Sequence, residues 1–311
     1  MNKEKNFVSA VVYVYNAEKT LSTFLNKLIA ILENNFEQSE IICVNDDSTD
    51  DSLYILQKLS TEVTNTMITV INMSHYHGVE RAMHAGVDMS IGDFVYEFDS
   101  TNLDYQIEEV MNVYHISLKG YDIVSASPNT KQKISSTLFY TVFNKLSSEN
   151  VEINTERFRM LSRRAINRID TINKTIPYRK AVYMNCGLTT FNQKYESIDV
   201  EHFISDKREQ TYRFDLAIDS LILFTNAGYR VSLFLTLMMM VIALAMALYC
   251  VIVYISSEPI AGWTTTILFL SIAFLGLFTI LTIVIKYLQV LVDLVFKKKQ
   301  YSFKSIEKLT N

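Results

Sequence analysis

The chain has 311 residues, of which 49% are hydrophobic and 20% are charged, and its formal net charge is −4 at pH 7. This acidic balance argues against a nucleic-acid partner, because such affinity rests largely on neutralising phosphates. Three cysteines are too few for a disulfide framework and predict reduced thiols, and eight glycines with three prolines leave no room for a long flexible linker.

Strand and helix patterns alternate along the first part of the chain. The β-branched and aromatic run Phe7–Tyr15 predicts a strand, and Ala17–Asn34 has the apolar periodicity of a helix. The same alternation continues with strand Glu40–Val44, helix Asp51–Ser60, strand Met67–Met73, helix Val79–Met89 and strand Asp93–Phe98. Strands that alternate with helices predict an α/β domain with a mostly parallel sheet.

Polar side chains follow three of these strands. They are Tyr15-Asn16, Asn45-Asp46-Asp47 and Asp99-Ser100-Thr101. Ligands of such sheets bind beyond the carboxyl ends of the strands, so acidic and amide groups there favour a nucleotide and metal site. The absence of a glycine-rich phosphate loop argues against a P-loop enzyme or a dinucleotide dehydrogenase.

Two long uncharged runs, Val231–Ile255 and Ile260–Ile285, predict a transmembrane helical hairpin. Each is long enough to cross a hydrocarbon core of roughly 30 Å at about 1.5 Å per residue. The cations flank the pair, which predicts that the domain and both termini are cytoplasmic; they are Lys207, Arg208, Arg213 and Arg230 before it, and Lys286, Lys297, Lys298 and Lys299 after it. Small residues in the spans would allow subunits to pack into a homo-oligomer; these are Ala243, Ala245, Ala247 and Gly276.

The predicted organisation therefore has four parts. A cytoplasmic domain covers residues 1–205, and an amphipathic helix at residues 206–230 is expected to lie at the membrane interface or to pack on the domain. The two spans follow within residues 231–286, and residues 287–311 form a basic cytoplasmic tail.

Seven segments, taken in order, resemble the family 2 glycosyltransferases of the GT-A fold, in the polyprenyl-phosphate branch typified by dolichyl-phosphate mannose synthase. They are Val11–Glu18 (VVYVYNAE), Ile41–Ser52 (IICVNDDSTDDS), Gly78–Asp93 (GVERAMHAGVDMSIGD), Phe98–Thr101 at the family's Asp-x-Asp position, Leu138–Leu146 (LFYTVFNKL), Phe158–Ile169 (FRMLSRRAINRI) and Arg208–Phe224. The resemblance implies a GT-A, Rossmann-like domain on a membrane hairpin. It also implies transfer of a sugar from a nucleotide-diphosphate donor to a polyprenyl phosphate on the cytoplasmic leaflet of a bacterial inner membrane, in a surface-polysaccharide or lipid-modification pathway.

The resemblance and the chemistry together suggest roles for individual residues. Asp99 and Thr101 would hold Mg²⁺ or Mn²⁺, since hard cations need oxygen ligands, with Asp99 the stronger of the two and Glu97, Asp104 or water completing the shell. The nucleotide would be bound by Tyr15, Asn16, Glu18, Asn45 and Asp46.

The acceptor side depends on charge. A lipid phosphate is already an anion and needs positioning by cations rather than a general base, so we expect single-displacement, inverting transfer. Asp99 and Arg159 would be the catalytic residues. The candidate phosphate-binding set is Lys131, Lys133, Arg157, Arg159, Arg163 and Arg164.

The chain departs from the family's pattern at five positions. Tyr13 replaces a proline, Asn45 and Thr101 each replace an aspartate, Asp47 replaces a glycine, and Arg157 replaces the aspartate that precedes Phe-Arg-Leu. These departures leave two alternatives open. One is transfer to a sugar or another lipid-linked acceptor, with Glu152 or Glu156 as a substitute base. The other is a catalytically degenerate paralogue that serves as the membrane-bound partner of an active transferase.

Overall fold

The computed structural model describes residues 3–63, 66–129, 155–172, 178–198, 207–224 and 303–308, together with single positions between 141 and 291. Its elements are, in chain order, β1 (Val8–Val14), α1 (Glu18–Asn35), β2 (Ser39–Asn45), α2 (Ser52–Glu62), β3 (Met67–Met73), α3 (Val79–Met89), β4 (Phe94–Phe98), α4 (Glu109–Ser117), β5 (Ile123–Pro128), β6 (Phe158–Ser162), α5 (Arg163–Ile172), α6 (Arg179–Asn185), β7 (Thr190–Tyr195), α7 (Lys207–Phe224) and β8 (Phe303–Lys308).

The described strands form one eight-stranded sheet in the order β7-β5-β6-β4-β1-β2-β3-β8. Four central strands, β4, β1, β2 and β3, pair in parallel, as their alternation with helices predicted. Strand β6 is antiparallel to both β4 and β5, and β8 is antiparallel to β3. The prediction of an α/β domain with a mostly parallel sheet is confirmed.

The core forms where helices cover the sheet. Every residue of β1 is buried, because this strand is central in the sheet and has neighbours on both sides. Helix α1 buries the face predicted from its periodicity, namely Leu21, Phe24, Leu25, Leu28, Ile29 and Leu32. Helix α3 packs so closely that a Cβ on Gly86 would lie 2.3 Å from Val11 Cγ1 and 2.8 Å from Val44 Cγ2. Glycine at this position therefore lets α3 approach β1 and β2.

The C-terminal segment returns to the sheet. Residues 287–311 were predicted as a basic tail, but within them Phe303–Lys308 form β8, which pairs with β3 and is the last strand on that side of the sheet. Charge alone gives no sign of this pairing, which depends on an open strand edge elsewhere in the chain. Residues 1–145, 149–217 and 299–311 form one compact unit, and residues 146–148 and 218–298 form a second.

The predicted membrane spans lie mostly outside the described residues. Within the part of the chain that is described, no helix combines the length and the apolar character needed to cross a membrane. The predicted amphipathic segment does contain a helix, α7, whose first half belongs to the same compact unit as the sheet.

Candidate functional site

A buried ion-pair cluster lies at the carboxyl end of β4. Asp99 follows this strand, and its Oδ2 accepts a hydrogen bond from Arg159 Nη2 at 2.8 Å while its Oδ1 accepts one from Arg179 Nη2 at 2.6 Å. Glu97 of β4 lies 2.9 Å from Nη1 of each arginine; the contact with Arg159 is a hydrogen bond, whereas that with Arg179 is an ion pair without hydrogen-bond alignment. Charge thus holds β6 and α6 against the end of β4.

Two further carboxylates complete this cluster. Glu156 accepts from Arg159 Nε at 3.0 Å, and Glu80 accepts from both Nε and the backbone N–H of Arg179 at 2.9 Å. With the two acidic residues at β4, four carboxylates face two guanidinium groups. The arginine side chains are 1% and 0% exposed, whereas that of Asp99 is 20% exposed. Asp99 is therefore the most exposed carboxylate of a cluster that has more negative than positive charges.

The pKa of Asp99 reflects two opposed effects. Burial alone would raise this pKa, because a charged carboxylate loses solvation. The positive charges of Arg159 and Arg179 outweigh that effect and hold the pKa of Asp99 well below its usual range. Asp99 therefore stays ionised at any physiological pH and is available to interact with a cation.

Asp99 fits a divalent cation only as one ligand among several. The hydroxyl of Thr101 lies 2.6 Å from that of Thr20, and Asp104 accepts from Arg157 Nε at 2.6 Å. Among the described residues, no group of three histidine, cysteine or acidic side chains is arranged to hold a metal ion. Mg²⁺ is commonly bound by one or two carboxylates together with substrate phosphates. The donor set at Asp99 suits that arrangement and not an all-protein site.

The structure brings the loops after β1 and β2 together, as the strand ends predicted. The backbone N–H of Asn16 donates to Ser48 Oγ at 3.1 Å, and Asn16 Oδ1 accepts from the N–H of Thr49 at 2.9 Å. The N–H of Glu18 donates to Asp50 Oδ2 at 2.9 Å. Two of the predicted nucleotide-binding residues, Asn16 and Glu18, therefore belong to a hydrogen-bond network that fixes the loops after β1 and β2 relative to each other.

The bend after β2 is also fixed by its own residues. Asn45 Oδ1 accepts from the backbone N–H of Ser48 at 3.2 Å, which closes a tight turn. Asn16 and Asp47 have φ values of 46° and 62°, in the left-handed region that short polar side chains tolerate best. Asn45 is thus placed at the predicted site, with its side chain buried and engaged in the turn.

Asp46 does not have the position predicted for a residue that contacts the nucleobase. It is fully buried, and its Oδ2 accepts from Tyr13 Oη at 3.0 Å and from the N–H of Gly78 at 2.8 Å, while Oδ1 accepts from the N–H of His77 at 2.8 Å. Burial raises the pKa of Asp46 despite these hydrogen bonds. Asp46 therefore anchors the loop before α3, a role that sequence order does not reveal.

An aromatic group stands at the same edge and was not predicted from the sequence. Tyr15 contacts Tyr76 with ring centroids 4.7 Å apart, and the guanidinium of Arg208 lies 4.6 Å from the Tyr76 ring centroid. The ring of Tyr212 lies so close to Gly78 that a Cβ there would be 2.2 Å away. The first half of α7 thus packs beside the predicted nucleotide-binding residue Tyr15.

The proposed acceptor cations are not one group. Arg159 is buried within the ion-pair cluster, where it positions Asp99, and its direct contact with the acceptor phosphate stays a prediction. Arg157 lies at the same edge, one-third exposed, and pairs with Asp104, which also accepts from Tyr195 Oη. Arg157 is therefore near the site but is engaged by an acidic partner.

Arg163 and Arg164 lie at the opposite end of β6 from Arg159, so the structure does not bring them together with Asp99, and their role in binding the acceptor stays a prediction. Strand β6 runs antiparallel to β4, with Phe158 opposite Phe98 and Ser162 opposite Phe94. Arg163 donates to the carbonyl oxygens of Ser90 and Gly92, and Arg164 pairs with Asp122; these contacts stabilise the far edge of the sheet. Lys131 and Lys133 lie outside the described residues.

Arg179 is the main residue that the sequence analysis missed. The available signal was Glu97, a carboxylate within a strand that is otherwise apolar, because a buried charge requires a partner. Its partners are the two arginines and Tyr183 Oη, which donates to Glu97 Oε1 at 2.7 Å. Nothing in the local sequence around Arg179 distinguishes it from a surface cation at the start of a helix.

Comparison with known proteins supports this architecture. The family model described as glycosyl transferase family 2 matches residues 9–170. A glycosyltransferase of Synechocystis described as uncharacterized is 26% identical over 280 residues, which are 86% of this chain and 85% of that protein. A bactoprenol glucosyl transferase of Shigella phage SfV is 25% identical over 276 residues, which are 86% of this chain and 88% of that protein.

A solved structure shares the fold. Glucosyl-3-phosphoglycerate synthase from Mycobacterium tuberculosis, in complex with Mn²⁺, UDP-glucose and phosphoglyceric acid, aligns with a TM-score of 0.50 at 14% sequence identity. The alignment covers 70% of this chain and 79% of that one. At this identity the likeness establishes the GT-A-type α/β fold alone.

Proposed function

This chain belongs to glycosyl transferase family 2, and from that premise we propose that it moves a sugar from a nucleotide-diphosphate donor to a polyprenyl phosphate at the cytoplasmic face of a membrane. The observation that carries the proposal is the ionised Asp99 at the carboxyl end of β4, held by two buried arginines beside the loops after β1 and β2. The name of the phage relative, a bactoprenol glucosyl transferase, supports the lipid acceptor.

The donor would bind across the carboxyl ends of β1, β2 and β4. In this arrangement Asp99 would be the protein ligand of a divalent cation, and the donor diphosphate would supply further oxygens. When bound, such a cation neutralises the charge that develops on the leaving diphosphate. Arg159 and Arg179 keep the Asp99 carboxylate ionised and fix its orientation, which is the contribution this chain makes itself.

The acceptor phosphate would act as the nucleophile. One of its oxygens attacks the anomeric carbon as the bond to the nucleoside diphosphate breaks, so the configuration inverts and no proton has to be removed. Glu156, considered as a substitute base, accepts a hydrogen bond from Arg159 Nε, which disfavours a role in taking up a proton.

Membrane attachment is the third part of the proposal. The chain leaves the catalytic unit within α7 and returns to it before β8, so a membrane segment between them would cross an even number of times. This connectivity suits the predicted hairpin with both ends in the cytoplasm. Described apolar residues of the second unit are about half exposed, which is favourable against lipid; they are Leu270, Leu277, Leu281, Val284, Leu288 and Leu291.

The test uses the full chain purified in detergent. Thermal unfolding is followed with UDP, GDP or CDP, with and without Mn²⁺, and sugar transfer to undecaprenyl phosphate is measured with the nucleotide sugar whose nucleotide stabilises the protein. Asp99→Asn is compared with Asp93→Asn, a matched change at the other end of β4, where the Asp93 carboxylate accepts a hydrogen bond from the N–H of Phe7. We expect Mn²⁺-dependent stabilisation by one nucleotide and transfer to the lipid, both lost in Asp99→Asn and kept in Asp93→Asn.

Other outcomes would redirect the proposal. Stabilisation without transfer to undecaprenyl phosphate would indicate a sugar or another lipid-linked acceptor. A folded protein that no nucleotide stabilises would contradict the proposed reaction and favour the degenerate partner, an alternative to which the pairing of Thr101 with Thr20 lends some support. Activity that survives EDTA would refute the role given to the cation while leaving the sugar transfer intact.

A further inference from the structure

A row of polar side chains crosses three adjacent strands at the edge of the sheet. Asn45 of β2 lies opposite Asn72 of β3, and Asn72 lies opposite Ser305 of β8. Asn45 and Asn72 are 6% and 8% exposed, in strands that are otherwise mostly apolar. Buried amides must be paired, so this row requires partners along its whole length.

The hydrogen bonds in this row have a single direction. Asn45 Nδ2 donates to Asn72 Oδ1 at 2.9 Å, and Asn72 Nδ2 donates to Ser305 Oγ at 3.0 Å and to Glu307 Oε1 at 3.3 Å. Ser305 Oγ also donates to Glu307 Oε1 at 3.1 Å. Every donor therefore points from β2 toward the C-terminal strand, and the row ends on a carboxylate.

Both ends of the row impose that direction. The backbone N–H of Ser48 can only donate, so Asn45 must turn Oδ1 toward it and Nδ2 toward Asn72. The carboxylate of Glu307 only accepts, so Asn72 must turn Nδ2 toward it. The two requirements agree only if residue 45 has both an acceptor and a donor, which asparagine has and aspartate lacks.

We propose that β8 is a positioning element of the donor site, and that Glu307 and Ser305 act through Asn72 and Asn45 to set the loop after β2. That loop is in turn bonded to the loop after β1, since Ser48 Oγ accepts from the N–H of Asn16. The inference rests on the proposed function for the statement that these loops bind the donor. It accounts for asparagine, rather than aspartate, at position 45.

The test reverses the direction of the row. Asn45→Asp still accepts from Ser48 but can donate nothing to Asn72, so the Asn72 amide must turn and present Oδ1 to Glu307, acceptor against acceptor. Adding Glu307→Gln supplies an amide donor at that end and restores a complete row in the opposite sense. Glu307→Gln alone completes the double-mutant cycle. Ile306→Thr is the control, since Ile306 is the partly exposed neighbour between Ser305 and Glu307 on β8.

Two readouts separate this inference from the proposed function. Hydrogen–deuterium exchange of the peptide covering residues 45–52, in the free full-length protein, reports the loop without any ligand. Nucleotide affinity, together with separate measurement of the donor KM and of kcat, reports the state of the donor site. We expect Asn45→Asp to speed exchange and to raise the donor KM about tenfold with a smaller change in kcat, the equivalent of about one hydrogen bond. Adding Glu307→Gln to Asn45→Asp should reverse both effects. Ile306→Thr should change neither the exchange rate nor the donor KM.

Three results overturn parts of the argument in distinguishable ways. If adding Glu307→Gln to Asn45→Asp does not restore slow exchange, the coupling between β8 and the loop after β2 is refuted. Restored exchange with a donor KM that is equal in all variants refutes the statement that the coupling reaches the donor. Restored exchange in a protein that binds no nucleotide refutes the proposed function while supporting the coupling.

Discussion

Replacing Arg179 with methionine should destabilise the protein strongly. Arg179 is 0% exposed and contacts the carboxylates of Glu80, Glu97 and Asp99, so its removal leaves those charges in a poorly solvated site with Arg159 as the remaining guanidinium. Removing one member of a buried ion cluster costs about 3–5 kcal/mol, because the unpaired charge remains buried. At roughly 3 °C per kcal/mol for a domain of this size, the expected fall in Tm is about 9–15 °C.

The assay is thermal unfolding of the full chain in detergent, with Arg213→Met as the matched control. Arg213 is 66% exposed and pairs with Glu209 one helical turn away, an arrangement worth about 0.5 kcal/mol or less. The double variant Arg179→Met with Glu80→Gln should recover part of the loss, since it also removes the charge of a buried carboxylate that Arg179 had paired. If Arg179→Met lowered the Tm no more than Arg213→Met, the cluster would not be a stabilising element and the account of Asp99 would fail with it.

Three further outcomes are expected. Gly86→Ala should cost about 1–3 kcal/mol, because the new methyl group would collide with Val11 and Val44, and denaturant unfolding measures this loss. Burial lowers the pKa of His77, so the folded state keeps this side chain neutral. Stability should therefore fall as the pH drops below about 6.5, by at most about 1.4 kcal/mol per pH unit. When Tm is followed from pH 8 to pH 5, the fall should be less steep in His77→Gln. Burial raises the pKa of Cys43 to about 12, so iodoacetamide at pH 8 should modify it only after unfolding, as mass spectrometry would detect.

Local periodicity was sufficient to predict the parallel half of the sheet. Strands β1 to β4 alternate with helices whose apolar faces are visible in the sequence, so their type and order follow from short-range patterns. Strand β8 could not be predicted in this way. Its pairing depends on the open edge of β3, and its six residues alternate apolar and polar side chains no more clearly than many surface segments do.

The candidate site was predicted in position but not in detail. Asp99 was expected at the strand end because parallel strands present their carboxyl ends at one edge. The cations near residues 157–164 were treated as one group because they are close in sequence. Strand β6 separates them: Arg159 lies near its start and Arg163 directly follows its last residue, so the two are about 13 Å apart at opposite ends of the strand. Residues that are close in sequence were therefore grouped at one site, although the strand holds them at different ends of the sheet.

The departures from the family pattern acquire a physical meaning once their partners are known. Tyr13 stands where the family has proline, and its hydroxyl donates to the buried Asp46, which a proline could not do. Arg157 stands where the family has aspartate, and it pairs with Asp104, beside which a second carboxylate would be repelled. Asn45 supplies the donor that its row of amides requires. A site losing its function would accumulate changes without regard to their neighbours, whereas these three each complete a contact. These three contacts therefore argue against a site in decay.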